Sequence, residues 1–324
     1  RALRMNNATL YALTVLIWGS TFFAIEFQLG VVPPEVSVVY RYSVAALLLF
    51  AWSYFRDLPL RFAVRHHAWF MLLGLLLFGL NYILTYTSQV HITSALAAIA
   101  FSTMVWLNII NSRIFFGVKS GRGVIFGALL GAAGMVFLFA PQISKVSFSD
   151  SVFFGSSLAV LGALSASFGN MVSQKIQKAA IPVVQMNAWG MFYGAVFMGV
   201  VALVNGRDFT FEWSAAYIGS LAYLTVFGSI VAFGAYLTLL GRIGANKAGY
   251  AMVMFPVVAL LLSTLFEGLE ITLTTIAGTL LVLAGNVFVL RTRKPAAVAT
   301  DDIRAAVYQR RTRPVSMCTK SDCS

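Results

Sequence analysis

Charged residues are scarce in this 324-residue chain. Asp, Glu, Lys and Arg together make up 10% of it, whereas a soluble domain of ordinary composition carries about 25%. So few charges could not cover the surface of a soluble protein of this size. A hydrophobic fraction of 59% and a mean hydropathy of +0.83 also exclude an intrinsically disordered chain. The composition therefore predicts a polytopic membrane protein.

The residues that build disulfide frameworks and metal sites are scarce as well. Both cysteines, Cys318 and Cys323, lie in a polar C-terminal stretch, and the three histidines, His66, His67 and His91, do not have metal-ligand spacing. The apolar segments contain no catalytic dyad or metal-binding cluster. We therefore expect no metal, no cofactor and no enzymatic activity.

Long apolar segments are what the chain has in abundance. A bilayer core needs about 20 apolar residues per helix, and ten segments of that kind are separated by short loops. The segments show no alternation of the kind found in transmembrane strands, and residues 295–324 form a polar tail that we interpret as disordered or partly carried over from expression. The ten predicted helices are Ala8–Ile25, Val36–Phe55, Ala68–Val90, Ile92–Ser112, Gly123–Ala140, Ser151–Gln174, Ala179–Val204, Trp213–Leu240, Ala248–Phe266 and Ile271–Leu290.

The net charge of +12 has two candidate explanations, a nucleic-acid partner or membrane orientation. If the N-terminus is inside, twelve Lys and Arg residues before the tail fall on the inner side and only Lys145 and Arg207 on the outer side. This positive-inside bias predicts that both termini are cytoplasmic. A nucleic-acid interface would need a basic soluble domain, and the chain has none, so we expect no nucleic-acid partner.

The two halves of the chain resemble each other when one is slid along the other. At an offset of 145 residues, the stretch 13–16 falls on 158–161. At 151, Gly117 falls on Gly268, Gly127 on Gly278 and Gly134 on Gly285. The matches predict two five-helix repeats, residues 8–140 and 151–291. Because five is odd, the second repeat enters the bilayer from the opposite face, an inverted arrangement typical of secondary transporters.

Several short motifs carry a family resemblance. They are Trp18-Gly-Ser-Thr21, Arg41, Phe255-Pro256 and Glu267-Gly268, together with glycine-rich fifth and tenth helices. Over residues 8–291 the chain resembles the EamA-type branch of the drug/metabolite transporter superfamily, and within it most the YddG-type amino-acid exporters, including those for aromatic amino acids. The resemblance implies an all-α polytopic protein of the bacterial inner membrane, with ten transmembrane helices that form two inverted five-helix repeats. Because both repeats lie in one chain, we expect a monomer.

The third predicted helix carries the clearest polar stripe. Phe78, Tyr82 and Tyr86 recur every four residues, and Asn81 and Thr85 form the adjoining row. Side chains that face lipid should be apolar, so this pattern indicates an interior face. We interpret it as the wall of a substrate cavity; the alternative is hydrogen bonding between packed helices.

Aromatic and polar side chains on the other helices are further candidates for the cavity wall. An aromatic ring deep in a bundle can stack on a flat substrate, although ordinary core packing is the alternative at each position. Ser167, Asn170 and Tyr236 are further polar groups on the sixth and eighth helices. The substrate-binding candidates are Trp18, Phe101, Ser102, Trp106, Ser165, Tyr223 and Tyr250.

Two residues are candidates for gating. Arg41 is the only Lys or Arg well inside a predicted span, and it suggests a carboxylate contact or a lock with Glu26 or Glu35; a structural tether is the alternative. Pro256 interrupts the hydrogen bonds of the ninth helix and suggests a hinge or a static kink. No Asp or Glu lies at mid-membrane, which argues against proton coupling through a simple carboxylate relay.

These observations favour a secondary transporter that exports small metabolites by alternating access, with neutral and aromatic amino acids as substrates. A multidrug or nucleoside exporter of the same superfamily is the alternative, since the same cavity wall suits such ligands. A membrane enzyme, a receptor or a channel has less support, because no catalytic set and no selectivity-filter loop are present.

Overall fold

The computed structural model describes residues 5–28, 30–92, 94–138, 140, 150–266 and 272–291. Within these ranges the chain is helical and forms no strand, which confirms the all-α class for the described part. A four-residue helical turn, Ala245–Ala248, precedes the ninth helix. In chain order the helices are α1 Asn7–Glu26, α2 Pro34–Phe55, α3 Val64–His91, α4 Ser94–Ser102 and Met104–Phe116, α5 Arg122–Leu138, α6 Asp150–Lys178, α7 Val183–Val204, α8 Ala215–Ile243, α9 Ala251–Phe266 and α10 Leu273–Arg291.

Seven of the helical stretches are long and apolar enough to cross a membrane. They are α2, α3, the Ile99–Phe116 part of α4, α6, α7, α8 and α10. α5 is apolar but shorter. The total of ten spans and the cytoplasmic placement of both termini stay predictions.

Local sequence signals set several helix ends. The Asn6 side chain accepts a hydrogen bond from the Thr9 backbone N–H at 2.8 Å and so caps the start of α1. The predicted start of the seventh helix at Ala179 is wrong, because Ala180 has a φ of +61° and Pro182 precedes the first helical residue. Helix starts favour proline because the first N–H groups of a helix have no acceptor within it, so the missing N–H of proline costs nothing there.

Two helices contain a π-helical stretch at corresponding places in the two halves. Gly74–Leu80 is π-helical within α3, and Leu224–Val231 is π-helical within α8. The second stretch begins 150 residues after the first, within the offsets of 145 to 151 that align the two halves of the sequence. π-Helical turns are rare and occur frequently at functional sites.

The helix contacts follow the repeat: replacing each helix by its counterpart in the other half (α1 by α6, α2 by α7, and so on) gives contacts that are also present. α2 packs on α7 and α5 on α10, each helix against its own counterpart. The contact of α1 with α9 corresponds to that of α6 with α4. The contact of α3 with α6 corresponds to that of α8 with α1. The described helices therefore have a pseudo-twofold pattern of neighbours.

Glycines bring α5 and α10 into close contact. A Cβ atom added to Gly127 would lie 2.5 Å from the Gly285 carbonyl oxygen, and one added to Gly278 would lie 2.5 Å from the Leu138 nitrogen. Small residues of this kind let membrane helices approach backbone to backbone. Substitution by any larger residue would push these two helices apart.

Candidate functional site

A cavity lies between α1, α3, α4, α6, α8 and α9. Its empty volume is about 810 Å³, including the part that opens to solvent, and small-molecule sites commonly have roughly 300–1,000 Å³. None of its nineteen described lining residues is charged; seven are aromatic, three of them tyrosines, and five others carry an amide or hydroxyl group. The wall therefore suits a ligand with an apolar body and a few hydrogen-bonding groups.

The polar stripe on α3 forms one side of this cavity. Asn81, Tyr82, Thr85 and Tyr86 all line it, as the sequence predicts, and Gln89 continues the row. The rings of Tyr82 and Tyr86 have centroids 6.2 Å apart. These four residues follow the π-helical stretch, from which point α3 is regular again.

Aromatic rings around Trp18 form another part of the wall. The Trp18 ring lies 4.7 Å from Phe233, 5.1 Å from Tyr236 and 5.6 Å from Phe255, centroid to centroid. Its Nε1–H donates to the Gly228 carbonyl oxygen at 2.9 Å. That bond fixes the indole plane and ties α1 to the π-helical stretch of α8.

Six of the predicted substrate-binding residues do not line the cavity. Phe101 does, but Ser102, one position along the same helix, donates its hydroxyl to the Ile99 carbonyl oxygen at 2.6 Å. Trp106 packs in a separate cluster with Val105. Residues on one helix point in different directions, and only the neighbouring helices decide which direction faces the cavity. The six are Phe78, Ser102, Trp106, Ser165, Tyr223 and Tyr250.

Phe78 and Ser165 belong to the contacts around the α3 π-helical stretch. Phe78 is fully buried and packs 4.9 Å from the Phe233 ring and 5.3 Å from the Tyr42 ring. Phe78 lies four residues before Tyr82, as the stripe requires. It is nevertheless inside the π-helical stretch, where a spacing of four residues does not keep side chains on one face. Ser165 donates to the Leu76 carbonyl oxygen at 2.7 Å, so its hydroxyl is bonded to the backbone of α3.

The two remaining tyrosines face other contacts. Tyr223 shares a hydrogen bond of 2.6 Å with Ser20 and lines a shallow pocket between α1 and α8. Tyr250 is buried beside α5, and its hydroxyl donates to the Gly127 carbonyl oxygen. Tyr250 therefore stabilises the contact between α5 and α10.

A buried hydrogen-bond network adjoins the cavity and includes residues that we did not select from the sequence. Asn170 donates through Nδ2 to the Tyr236 hydroxyl at 2.9 Å and to Asn108 Oδ1 at 3.3 Å. Ser167 donates to the same Asn108 oxygen at 2.8 Å and accepts from Asn111 at 2.9 Å. Asn170 and Tyr236 both line the cavity. Their polarity within apolar helices is the signal that marks them in the sequence.

Arg41 lies behind the tyrosines of α3, outside the cavity lining. It is 3% exposed, donates through Nε to the Ser229 hydroxyl at 2.8 Å, and places its guanidinium 5.3 Å from the Tyr82 ring centroid. The suggested lock with Glu35 is not formed, because Glu35 pairs with Arg207 at 3.4 Å. The Glu26 side chain lies outside what the structure describes.

Pro256 is buried within α9, which continues as a helix on both sides of it. Its neighbour Phe255 lines the cavity, so a kink at this place would act next to the ligand. The hinge role stays a prediction. The Glu267-Gly268 motif lies outside the described residues.

A second cavity, of about 610 Å³, shares a wall with the first. Tyr82 and Tyr86 line both cavities, and the ion pair of Glu35 and Arg207 borders the second. The two tyrosines therefore separate an uncharged cavity from a charged one.

Comparison with known proteins identifies the family. The model of the EamA-like transporter family matches residues 7–140 and, a second time, residues 153–291. The chain belongs to the EamA-like transporter family. This result confirms the superfamily resemblance found in the sequence, whereas the YddG-type subtype stays a prediction. This EamA-like transporter is a multi-pass membrane protein.

Two relatives agree with this assignment, and a solved structure has the same fold. The uncharacterized transporter YoaV of Bacillus subtilis is 28% identical over 284 residues, 86% of this chain and 96% of YoaV. The uncharacterized inner membrane transporter YedA of Escherichia coli K12 is 30% identical over 259 residues, 79% of this chain and 80% of YedA. A solved crystal structure has the same fold, with a TM-score of 0.70 at 17% identity. The match covers 87% of this EamA-like transporter and 95% of the chain in that structure.

Proposed function

We propose that this EamA-like transporter exports neutral and aromatic amino acids from bacterial cells through the central cavity. The observation that carries the proposal is the composition of the cavity wall, in which the described residues include seven aromatic rings, five further side chains with an amide or hydroxyl group, and no charged residue. Aromatic faces offer stacking surface for a flat side chain. Amide and hydroxyl groups can hydrogen-bond an amino-acid backbone without a fixed ion pair.

We further propose that export proceeds by alternating access between two inverted repeats. The same family model matches both halves of the chain, the helix pairs interchange when the halves are exchanged, and both halves contain a π-helical stretch. Two related halves of opposite orientation allow one fold to open to either side of the membrane. In this scheme Pro256 is the hinge of α9.

The proposed orientation has both termini in the cytoplasm of a bacterial inner-membrane protein that works as a monomer. The distribution of Lys and Arg supports the orientation. The name of YedA as an inner membrane transporter supports the location. The presence of both repeats in one chain supports the monomer.

Efflux from proteoliposomes tests the proposal. We expect vesicles loaded with radiolabelled phenylalanine or threonine to lose the label faster with the protein than without it, and vesicles loaded with lysine or a nucleoside not to do so. Tyr82→Ala should lower phenylalanine efflux at least fivefold, because it removes a cavity ring. Tyr54→Ala is the matched control, since Tyr54 lies on α2 and is 75% exposed. Nucleoside efflux without amino-acid efflux would overturn the proposed substrate class.

A further inference from the structure

Asn170 has an unusual position at the edge of the central cavity. It is fully buried, it lines the cavity, and its Oδ1 has no hydrogen-bond partner among the described residues. A buried acceptor without a donor destabilises a fold, and such a group requires an explanation. The explanation has to account for one free acceptor on an otherwise engaged amide.

The surrounding network fixes which end of the amide is engaged. Asn170 Nδ2 has three acceptors within reach, namely the Tyr236 hydroxyl, Asn108 Oδ1 and the Met104 sulfur at 3.5 Å. Turning the amide over would place Oδ1 against the Asn108 oxygen, which Ser167 already holds. As these hydrogen bonds stand, Oδ1 of Asn170 has no partner among the described residues, and neither does Nδ2 of the neighbouring Asn108.

The neighbours of the amide place it at the edge of the central cavity. Met104 and Tyr236, which both contact the Asn170 nitrogen, also line the cavity, so the amide lies at the cavity wall. Asn170 is the lining residue of α6 nearest the end of that helix predicted to be cytoplasmic. The Trp18 and Phe255 rings lie on the same cavity.

We infer that Asn170 is a specificity residue whose Oδ1 accepts a hydrogen bond from the protonated amino group of the ligand. The inference rests on the proposed function and adds where the amine binds. The ligand class is a primary ammonium with an aromatic or apolar body, held by Asn170 at one end and by the rings at the other. Asn108 and Ser167 are positioning residues, because they hold the amide in this orientation.

Binding to the purified protein tests the inference separately from export. The probes are 2-phenylethylamine, which has the amine and no carboxylate, and 3-phenylpropionate, which has the carboxylate and no amine; affinities are measured by titration calorimetry in detergent. We expect the wild type to bind the amine at least tenfold more tightly. Asn170→Leu should weaken amine binding about tenfold and leave propionate binding within twofold.

Two further variants keep the test decisive. Asn170→Asp retains the shape of the side chain and adds a negative charge, so it should strengthen amine binding whether or not Asn170→Leu folds. Asn187→Leu is the matched control, because Asn187 on α7 is also buried with a free Oδ1 but does not line the cavity; it should leave both affinities unchanged.

The inference is overturned if the wild type binds neither probe or prefers the propionate, if Asn170→Leu weakens both probes equally, or if Asn170→Asp fails to strengthen amine binding. Failure of the proposed function looks different, because amine binding would still depend on Asn170 while no amino acid left the vesicles.

Discussion

α3 and α8 change from α- to π-helical hydrogen bonding at corresponding places, yet the two stretches have different surroundings. The α3 stretch packs against α7 through glycines, and a Cβ atom on Gly74 would lie 2.6 Å from the Gly190 carbonyl oxygen. The α8 stretch is instead held by large polar side chains, since Trp18 donates to Gly228 and Arg41 donates to Ser229. The α3 stretch is thus stabilised by close backbone packing and a side-chain bond from Ser165, and the α8 stretch by the bonds from Trp18 and Arg41.

Both stretches nevertheless serve the cavity in the same way. Tyr82 and Tyr86 follow the π-helical stretch of α3 and line the cavity, as Phe233 and Tyr236 do after the stretch of α8. Tyr223, which immediately precedes the α8 stretch, lies outside the cavity. Each irregularity is therefore followed by aromatic residues that line the cavity, and Leu77 within the α3 stretch lines it as well.

The largest effect should come from breaking the glycine contact of α3. Gly74→Leu places a side chain against backbone atoms of α7, which cannot move aside, so we expect little folded protein. Size-exclusion chromatography of a fluorescent fusion in detergent measures the yield. Gly199→Leu on α7 is the matched control, because nothing lies within 4 Å of a Cβ atom there. A wild-type profile for Gly74→Leu would show that the contact is dispensable.

A smaller effect should come from removing the charged contact of α8. Arg41→Leu deletes the donor to Ser229 and the cation beside Tyr82; hydrogen bonds from charged groups contribute roughly 1.5–3 kcal/mol. We expect a loss of stability of about 2 kcal/mol, measured by thermal unfolding in detergent.

The comparison for that variant is Arg207→Leu. Arg207 is 50% exposed and pairs with Glu35 at 3.4 Å, and exposed ion pairs contribute at most about 1 kcal/mol. If both arginine variants unfold at the same temperature, the α8 stretch does not depend on Arg41.

The smallest effect should come from removing either of two side-chain hydrogen bonds to carbonyl groups of the π-helical stretches. Trp18→Phe removes the bond to Gly228, and Ser165→Ala removes the bond to Leu76; each should cost about 1 kcal/mol. Only Trp18→Phe should also raise the KM of phenylalanine efflux, by about threefold, because only Trp18 lines the cavity. Equal KM changes for the two variants would contradict this division of roles.

Helical periodicity predicted the part of the site that lies on regular helix. Asn81, Tyr82, Thr85 and Tyr86 follow the π-helical stretch of α3, and all four line the cavity as expected. The same periodicity was wrong for Phe78, because the extra residues of a π-helical turn change the direction of the side chains within it. No residue type in Gly74–Leu80 distinguishes π from α hydrogen bonding, so the sequence alone could not reveal this change.

On α6 the sequence marked several polar residues but could not show which of them faces the cavity. Ser165 and Asn170 are five positions apart, which on a helix of 3.6 residues per turn places them on faces about 140° apart. Ser165 contacts α3, and Asn170 contacts Asn108 on α4 and Tyr236 on α8. The choice between the two faces depends on which helices lie beside α6, and that is a property of the tertiary packing.

The close contact of α5 with α10 also bears on the order in which the chain is assembled. A chain is made from its N-terminus, so α5 is synthesised before α10. Until Leu273–Arg291 has been made, the Gly127 and Gly134 face of α5 lacks the helix that packs on it. The fold of the described chain is therefore completed only when its last helix is inserted.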